Sequence, residues 1–136
     1  MTPNNRDAEK IVIATVLYDP PMLDRALPLS PAQFYDPFHA LLWETILEAG
    51  RRGHTCTPES VEADLTGNLL FSQNRAYFEG MDDAVAFYAP EVETAARIIR
   101  DMATRRQLIR IADSARAAAM GAGDGYINPA DLLSQM

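Results

Sequence analysis

The feature that most constrains the fold is a segment from Pro90 to about Met120 in which no residue interrupts a helix. Apolar residues recur there at intervals of three, four or seven, which is the spacing of one helix face. The residues on that face are Ile98, Met102, Ile109, Ala112, Ala115 and Ala119. A helix of this length would span ~45 Å, whereas a compact domain of this size has a diameter nearer ~37 Å. We therefore predict a long helix that protrudes from a smaller body.

The rest of the chain also shows helical signals. Apolar residues at helical spacing predict a first helix over about Asp7–Tyr18. Asp36 can cap a helix that starts at Pro37, because proline fits the first helical position. That helix should run to Arg52, with Gly53 as its left-handed stop.

Shorter helices are expected between these long ones and after them. Asp19-Pro20-Pro21 and Thr57-Pro58 each mark a helix start, and the stretch Asn68–Val85 is apolar enough for two short helices. Asn128-Pro129 predicts a last helix that contains Leu132 and Leu133. The sequence has no alternating run of β-branched residues, so no sheet is expected.

These signals predict an all-α fold with two parts. Residues 1–89 form a compact bundle of short helices, a globular helical domain. Residues 90–136 form the long protruding helix and the start of a second helix, and together these begin a helical hairpin.

Composition limits the kinds of partner. The net charge is −7 over 136 residues, which does not suit a protein whose main role is to bind phosphates. Protein partners are therefore the better expectation. The N-terminus is too polar for a signal peptide, and no apolar run approaches the ~20 residues needed to cross a bilayer. We expect a soluble, cytoplasmic protein without a membrane partner.

The long helix differs in charge from the rest of the chain. The segment Glu91–Arg116 has a net charge of +2, which leaves −9 for the remainder. One interpretation is a solvated helix face with the ion pairs Arg97–Asp101 and Arg105–Asp101. The other interpretation is an interface with acidic patches of a sister subunit.

Residues that support catalysis or cofactor binding are not apparent. The sequence has no phosphate-binding loop, and its only lysine is Lys10. His39, His54 and Cys56 are a poor metal-binding set, and we interpret His39 as a packing or capping residue. No catalytic, cofactor-binding or metal-binding residue is predicted, and this chain is not expected to be an enzyme by itself.

Several segments, taken in order, resemble the N-terminal domain of DnaB-type replicative helicases. The segments are Ala8-Glu9-Lys10-Ile11-Val12-Ile13, Tyr18-Asp19-Pro20, Phe34-Tyr35-Asp36-Pro37-Phe38-His39, Gly53, Ala76-Tyr77-Phe78, Asp83-Ala84-Val85, Ala96-Arg97-Ile98-Ile99-Arg100-Asp101 and Arg105-Arg106-Gln107-Leu108-Ile109. They span about Asp7 to Leu133, which is nearly the whole chain.

This resemblance implies an assembly and docking domain. In the family, helical hairpins pair between subunits, the domains form a hexameric ring, and the C-terminal domain of primase docks on it. ATP and Mg²⁺ are then expected only for an attached motor domain. The resemblance suggests Asp7, Glu9 and Tyr77 as contacts for primase or a helicase loader. The apolar face of the long helix is the candidate oligomer interface.

One alternative comes from a different functional class. A small helical regulator could bind nucleic acid with the arginine-rich face of the long helix. The acidic remainder of the chain argues against this function, and we expect weak or no direct nucleic-acid binding.

Overall fold

The computed structural model describes residues 2–82, 91–121, 130 and 133–134. Within these ranges the chain is all-α, as predicted, and contains no strand. The helices are α1 (Arg6–Tyr18), α2 (Leu23–Ala26), α3 (Pro37–Arg51), α4 (Pro58–Asp64), α5 (Leu69–Gln73), α6 (Arg75–Glu79) and α7 (Val92–Ala119). Short 3₁₀ turns at Pro20–Met22 and Pro31–Gln33 precede α2 and α3.

The two central helices begin where their capping residues predict. The Asn5 side chain accepts a hydrogen bond from the Ala8 amide at 2.9 Å at the start of α1. Asp36 accepts from the Phe38 amide at 2.8 Å at the start of α3. After α3, Gly53 adopts a φ of 75°, which a residue with a Cβ rarely takes. The predicted stop of this helix is therefore confirmed.

The core lies between α1 and α3. Trp43 is completely buried, and its indole N–H donates to the Leu29 carbonyl at 2.9 Å, so burial leaves no polar atom unpaired. The Phe34 ring packs 5.5 Å from the Trp43 ring. On the other side of α3, the Phe71 ring packs against Phe38 and Phe78, which holds α5 and α6 on the body.

The first half of α7 belongs to this core. Val92, Ala95, Ala96 and Ile99 are buried, and this part of the helix packs on α1 and α2. The predicted long helix is present, but its first half is part of the body and only its second half extends from it. The reason is a second apolar face, made by these four residues, which lies beside the predicted one and turns toward the body.

Arg106 is where α7 stops packing on the body. Its guanidinium donates to the carbonyls of Pro3 and Gln33, each at 2.8 Å, and lies 5.5 Å from the Tyr35 ring. These contacts compensate for burying a charged group. Beyond Arg106 no residue of α7 is buried, so the second half of the helix is the part that extends from the body.

Two predictions lie outside the described residues. The boundary between residues 89 and 90 falls in the range 83–90, and the hairpin's second helix falls mostly within 122–129, 131–132 and 135–136.

Candidate functional site

Glu9 is the buried centre of a polar cluster between α1 and the start of α3. Its side chain is only 2% exposed. Oε2 accepts a hydrogen bond from the Tyr35 amide at 2.8 Å, and Oε1 accepts from the Asp36 amide at 3.2 Å. Oε1 also lies 2.9 Å from Nδ1 of His39. The carboxylate of Glu9, predicted as a partner contact, is therefore fully used inside the domain.

His39 connects Glu9 to Tyr77. The imidazole is completely buried, and its Nε2 lies 2.6 Å from the Tyr77 hydroxyl. Because a carboxylate can only accept, Nδ1 carries a hydrogen toward Glu9. The Nε2 atom accepts from the Tyr77 hydroxyl when the ring is neutral and donates to it when the ring is protonated. We call Glu9, His39 and Tyr77 the buried network. It ties α1, α3 and α6 together through side chains alone.

Asp36 extends this cluster to the surface. Burial by itself would raise the pKa of Asp36, but His39, the Phe38 amide and the Arg6 guanidinium together lower it. The Nε of Arg6 donates to Oδ2 of Asp36 at 2.8 Å. The Nη2 of Arg6 lies 2.6 Å from the same oxygen. The start of α3 is therefore held by a cap and by an ion pair at one side chain.

Tyr77 is only half buried and brings the cluster to solvent. Burial, with smaller effects from nearby charges that include Asp7, raises the pKa of Tyr77 to about 12. The Lys10 ammonium lies 5.3 Å from the centre of its ring. Tyr77 is therefore a neutral hydroxyl at physiological pH, fixed in place by His39.

Accessible residues surround this point. Arg6 and Asp7 are exposed, Lys10 is half buried, and Tyr35 is 43% exposed. We call Arg6, Asp7, Lys10, Tyr35 and Tyr77 the docking patch. Two of the three predicted partner contacts, Asp7 and Tyr77, thus lie in one surface region, and the third, Glu9, lies beneath it.

The buried network was not predicted from the sequence, although one signal was available. Glu9 shares the helix face of Val12, Ile13 and Val16, which are all buried. A carboxylate on an apolar face must find donors inside the domain, and the part-buried amides of Tyr35 and Asp36 before α3 supply them.

The predicted oligomer-interface residues fall into two groups. Ile98 packs partly buried against the chain's own core, and Met102 is also partly buried. Ile109, Ala112 and Ala119 are exposed, and Ala115 is partly buried. Of these six residues, the three exposed ones all lie beyond Arg106.

The arginines of α7 do not form one continuous basic face. Arg106 is buried against the body, so it is not part of a solvated helix face. Of the two predicted ion pairs, Arg105–Asp101 is present at 3.0 Å, whereas Arg97 forms no ion pair with Asp101. An exposed pair of this kind contributes a few tenths of a kcal/mol.

No group of three or more His, Cys, Asp or Glu residues in the described ranges could hold a metal ion. No helix in those ranges is both long and apolar enough to span a membrane.

Comparison with known families identifies the domain type. The model of the DnaB-like helicase N terminal domain matches residues 1–101. The chain belongs to this family. The match includes α1–α6, all three residues of the buried network and the first part of α7.

Two DnaB helicases are similar to this chain in sequence. The replicative DNA helicase DnaB of Geobacillus stearothermophilus is 32% identical over 127 residues, which cover 91% of this chain and 26% of the helicase. The replicative DNA helicase DnaB of Treponema pallidum (strain Nichols) is 32% identical over 113 residues, 81% of this chain and 26% of the helicase. The chain thus spans about a quarter of the length of these relatives.

A solved structure agrees in fold. The crystal structure of the N-terminal domain of DnaB helicase from Mycobacterium tuberculosis matches with a TM-score of 0.82. The match covers 99% of this chain and 94% of that chain, at 22% sequence identity. The predicted family and the predicted helical architecture are confirmed.

Proposed function

We propose that this DnaB-like N-terminal domain assembles the subunits of a hexameric replicative DNA helicase and offers a docking surface to primase or a helicase loader. Its role in DNA replication would be non-catalytic and cytoplasmic. ATP-driven unwinding, with ATP and Mg²⁺, would belong to a motor domain of the full-length protein. This division is consistent with relatives that are replicative helicases and of which the match covers only 26%.

The observation that carries the assembly role is the exposed second half of α7. From Gln107 to Ala119 the helix continues for about 20 Å beyond its last buried residue. Leu108 is 53% exposed, Ile109 46% and Met120 69%. The alanines of this segment would let a second helix approach closely. Burying each large apolar side chain there would contribute about 1.5–3 kcal/mol.

A matched pair of variants tests assembly. Ile109 and Gln107 are both exposed. They are two positions apart on the helix, so their side chains point to nearly opposite sides. Ile109→Glu places a charge on the apolar face, and Gln107→Glu places the same charge on the other face. Sedimentation velocity over a range of protein concentrations measures the association constant of each.

We expect the unaltered chain to associate, Ile109→Glu to weaken association at least tenfold, and Gln107→Glu to have little effect. A chain that remains monomeric at all concentrations would refute the proposed assembly role. Equal effects of the two variants would also refute it, since the apolar face would then have no special part in association.

The docking patch supports the second role. Tyrosine and arginine are enriched among residues that dominate binding energy, and the patch contains Tyr35, Tyr77 and Arg6. The buried network holds Tyr77 in place, so little side-chain entropy would be lost when a partner binds. Asp7 and Lys10 add charges of opposite sign, which would orient a partner of complementary charge.

Charge reversal at Asp7 tests docking. We expect Asp7→Lys to weaken binding of the primase C-terminal domain at least tenfold in titration calorimetry. Asp24→Lys, an exposed residue on α2 outside the patch, serves as the control. The melting temperature of both variants should stay within a few degrees of the original. Unchanged affinity of Asp7→Lys for both primase and loader would refute this location of the docking surface.

A further inference from the structure

A second accessible depression lies away from the docking patch and the exposed end of α7. It is a groove of about 800 Å³ between α2, α3 and α7. Its lining residues are Leu23, Leu27, Pro28, Leu29, Ser30, Gln33, Leu47, Gly50, Arg51 and Arg100. Leu27 is 43% exposed, whereas Leu23 and Leu47 are partly buried. Four of the ten lining residues are leucines, and solvent can reach all of these except the buried Leu29.

Arg100 is the unusual member of this lining. It is half buried, yet within the part of the chain that the structure describes it forms no hydrogen bond or ion pair. The other arginine of the groove, Arg51, is already paired with Glu48. A partly desolvated guanidinium gains more from a carboxylate than a fully hydrated one does, because the bond is charge-assisted and can be bidentate.

We propose that this groove binds a short amphipathic helix of a protein partner. Leucine-type side chains of that helix would fill the space between Leu23, Leu27 and Leu47. A carboxylate beside them would pair with Arg100. This is the helix-in-groove mode of recognition, in which apolar anchors spaced three and four residues apart enter a hydrophobic groove.

The charges favour this occupant over nucleic acid. Arg100 is the one unpaired cation among the lining residues, so the groove can neutralise a single carboxylate but not a row of phosphates. The net charge of the chain, −7, would oppose the phosphates further. The groove shares no residue with the docking patch, so the inference goes beyond the proposed function and is tested separately.

The test uses defined helical peptides of roughly three to four turns with leucines on one face. In one set a single glutamate is moved through the positions beside the leucines, and in the matched set glutamine replaces it. Binding to the ¹⁵N-labelled chain is followed by NMR. We expect saturable shifts at Leu27, Leu47, Gly50 and Arg100, with the best glutamate peptide binding about tenfold more tightly than its glutamine counterpart.

Two variants locate the interaction. Arg100→Gln should weaken the best glutamate peptide about tenfold and leave its glutamine counterpart unchanged. Arg97→Gln, an exposed arginine of the same helix outside the groove, should have no effect. Leu27→Ser should weaken both peptides, since it removes an apolar wall residue that both would contact.

Three results would overturn the proposal. The first is no saturable binding by any peptide of the panel. The second is binding with equal affinity for glutamate and glutamine peptides. The third is a set of shifts at the groove that appear on concentrating the chain alone, because a second copy would then be the occupant.

Discussion

Replacing Glu9 by glutamine tests the buried network most sharply, because it changes charge and hydrogen bonding at almost constant volume. The Glu9 carboxylate accepts from two backbone amides and faces one imidazole N–H. A glutamine has only one acceptor oxygen. In either orientation of its amide group, the NH₂ faces the amide of Tyr35 or of Asp36, and one backbone donor loses its partner.

The expected cost follows from these contacts. A part-buried donor without a partner costs about 1–3 kcal/mol, and the remaining hydrogen bonds lose their charge assistance. We expect Glu9→Gln to lower the free energy of unfolding by about 3 kcal/mol. With about 2.1 cal/mol/K of unfolding entropy per residue, that corresponds to a melting temperature lower by about 10 °C.

The assay is urea unfolding at pH 7, followed by circular dichroism, with Asp7→Asn as the matched control. Asp7 lies on the same helix and loses the same charge, but it is exposed, so its effect should stay within about 0.5 kcal/mol. The denaturant slope should be unchanged in both variants. A loss for Glu9→Gln no larger than that of the control would refute the assigned role of Glu9.

Three further predictions concern the same region. Asp36 has a lowered pKa in the folded state. Its ionised form therefore stabilises the fold at pH values above its unfolded pKa, and this stability is lost as pH falls through the folded pKa. We expect Asp36→Asn to flatten the acid limb of the stability curve below about pH 4. The pKa of Tyr77 is raised to about 12 in the folded state. Its contribution to stability is therefore complete at pH values below its unfolded pKa and is lost as pH rises toward 12. We expect Tyr77→Phe to lower the free energy of unfolding by about 1 kcal/mol at pH 7 and to give a shallower alkaline limb in urea titrations. Arg106→Gln should lower the free energy of unfolding in urea by about 2 kcal/mol, because the carbonyls of Pro3 and Gln33 lose a charged donor. The control Arg110→Gln, at an exposed residue, should lower it by less than about 0.5 kcal/mol. Equal losses in the two variants would show that Arg106 does not anchor α7.

The sequence predicted those parts of the fold that local chemistry determines. Asp36-Pro37 and Gly53 marked both ends of α3, because capping and left-handed stops depend only on neighbouring residues. Asn5, which caps α1, was not predicted as a capping residue. The two short helices between Asn68 and Val85 were also expected, and α5 and α6 lie in this range.

Long-range packing explains what the sequence did not predict. Whether α7 protrudes depends on Val92 and Ile99 meeting α1, and on Arg106 finding carbonyls of Pro3 and Gln33 far away in the chain. No local pattern reports such partners. The buried network has the same character, since Glu9, His39 and Tyr77 are about 30 residues or more apart in sequence.

The candidate site was predicted only in part. Asp7 and Tyr77 were selected from the family resemblance, and the structure places both at one surface region. Glu9 was selected in the same way, but its helical position among Val12 and Ile13 directs it into the core. A surface charge and a buried one can thus be two residues apart on a helix, and only the packing partner distinguishes them.

The central claim is that the second half of α7 exists to contact other protein chains. Hydrogen–deuterium exchange at several protein concentrations measures this directly, since amides of a helix with few buried contacts exchange quickly until a partner covers them. We predict that raising the concentration slows exchange in residues 107–119 and leaves α1 and α3 unchanged. Exchange in residues 107–119 that is independent of concentration would contradict the claim.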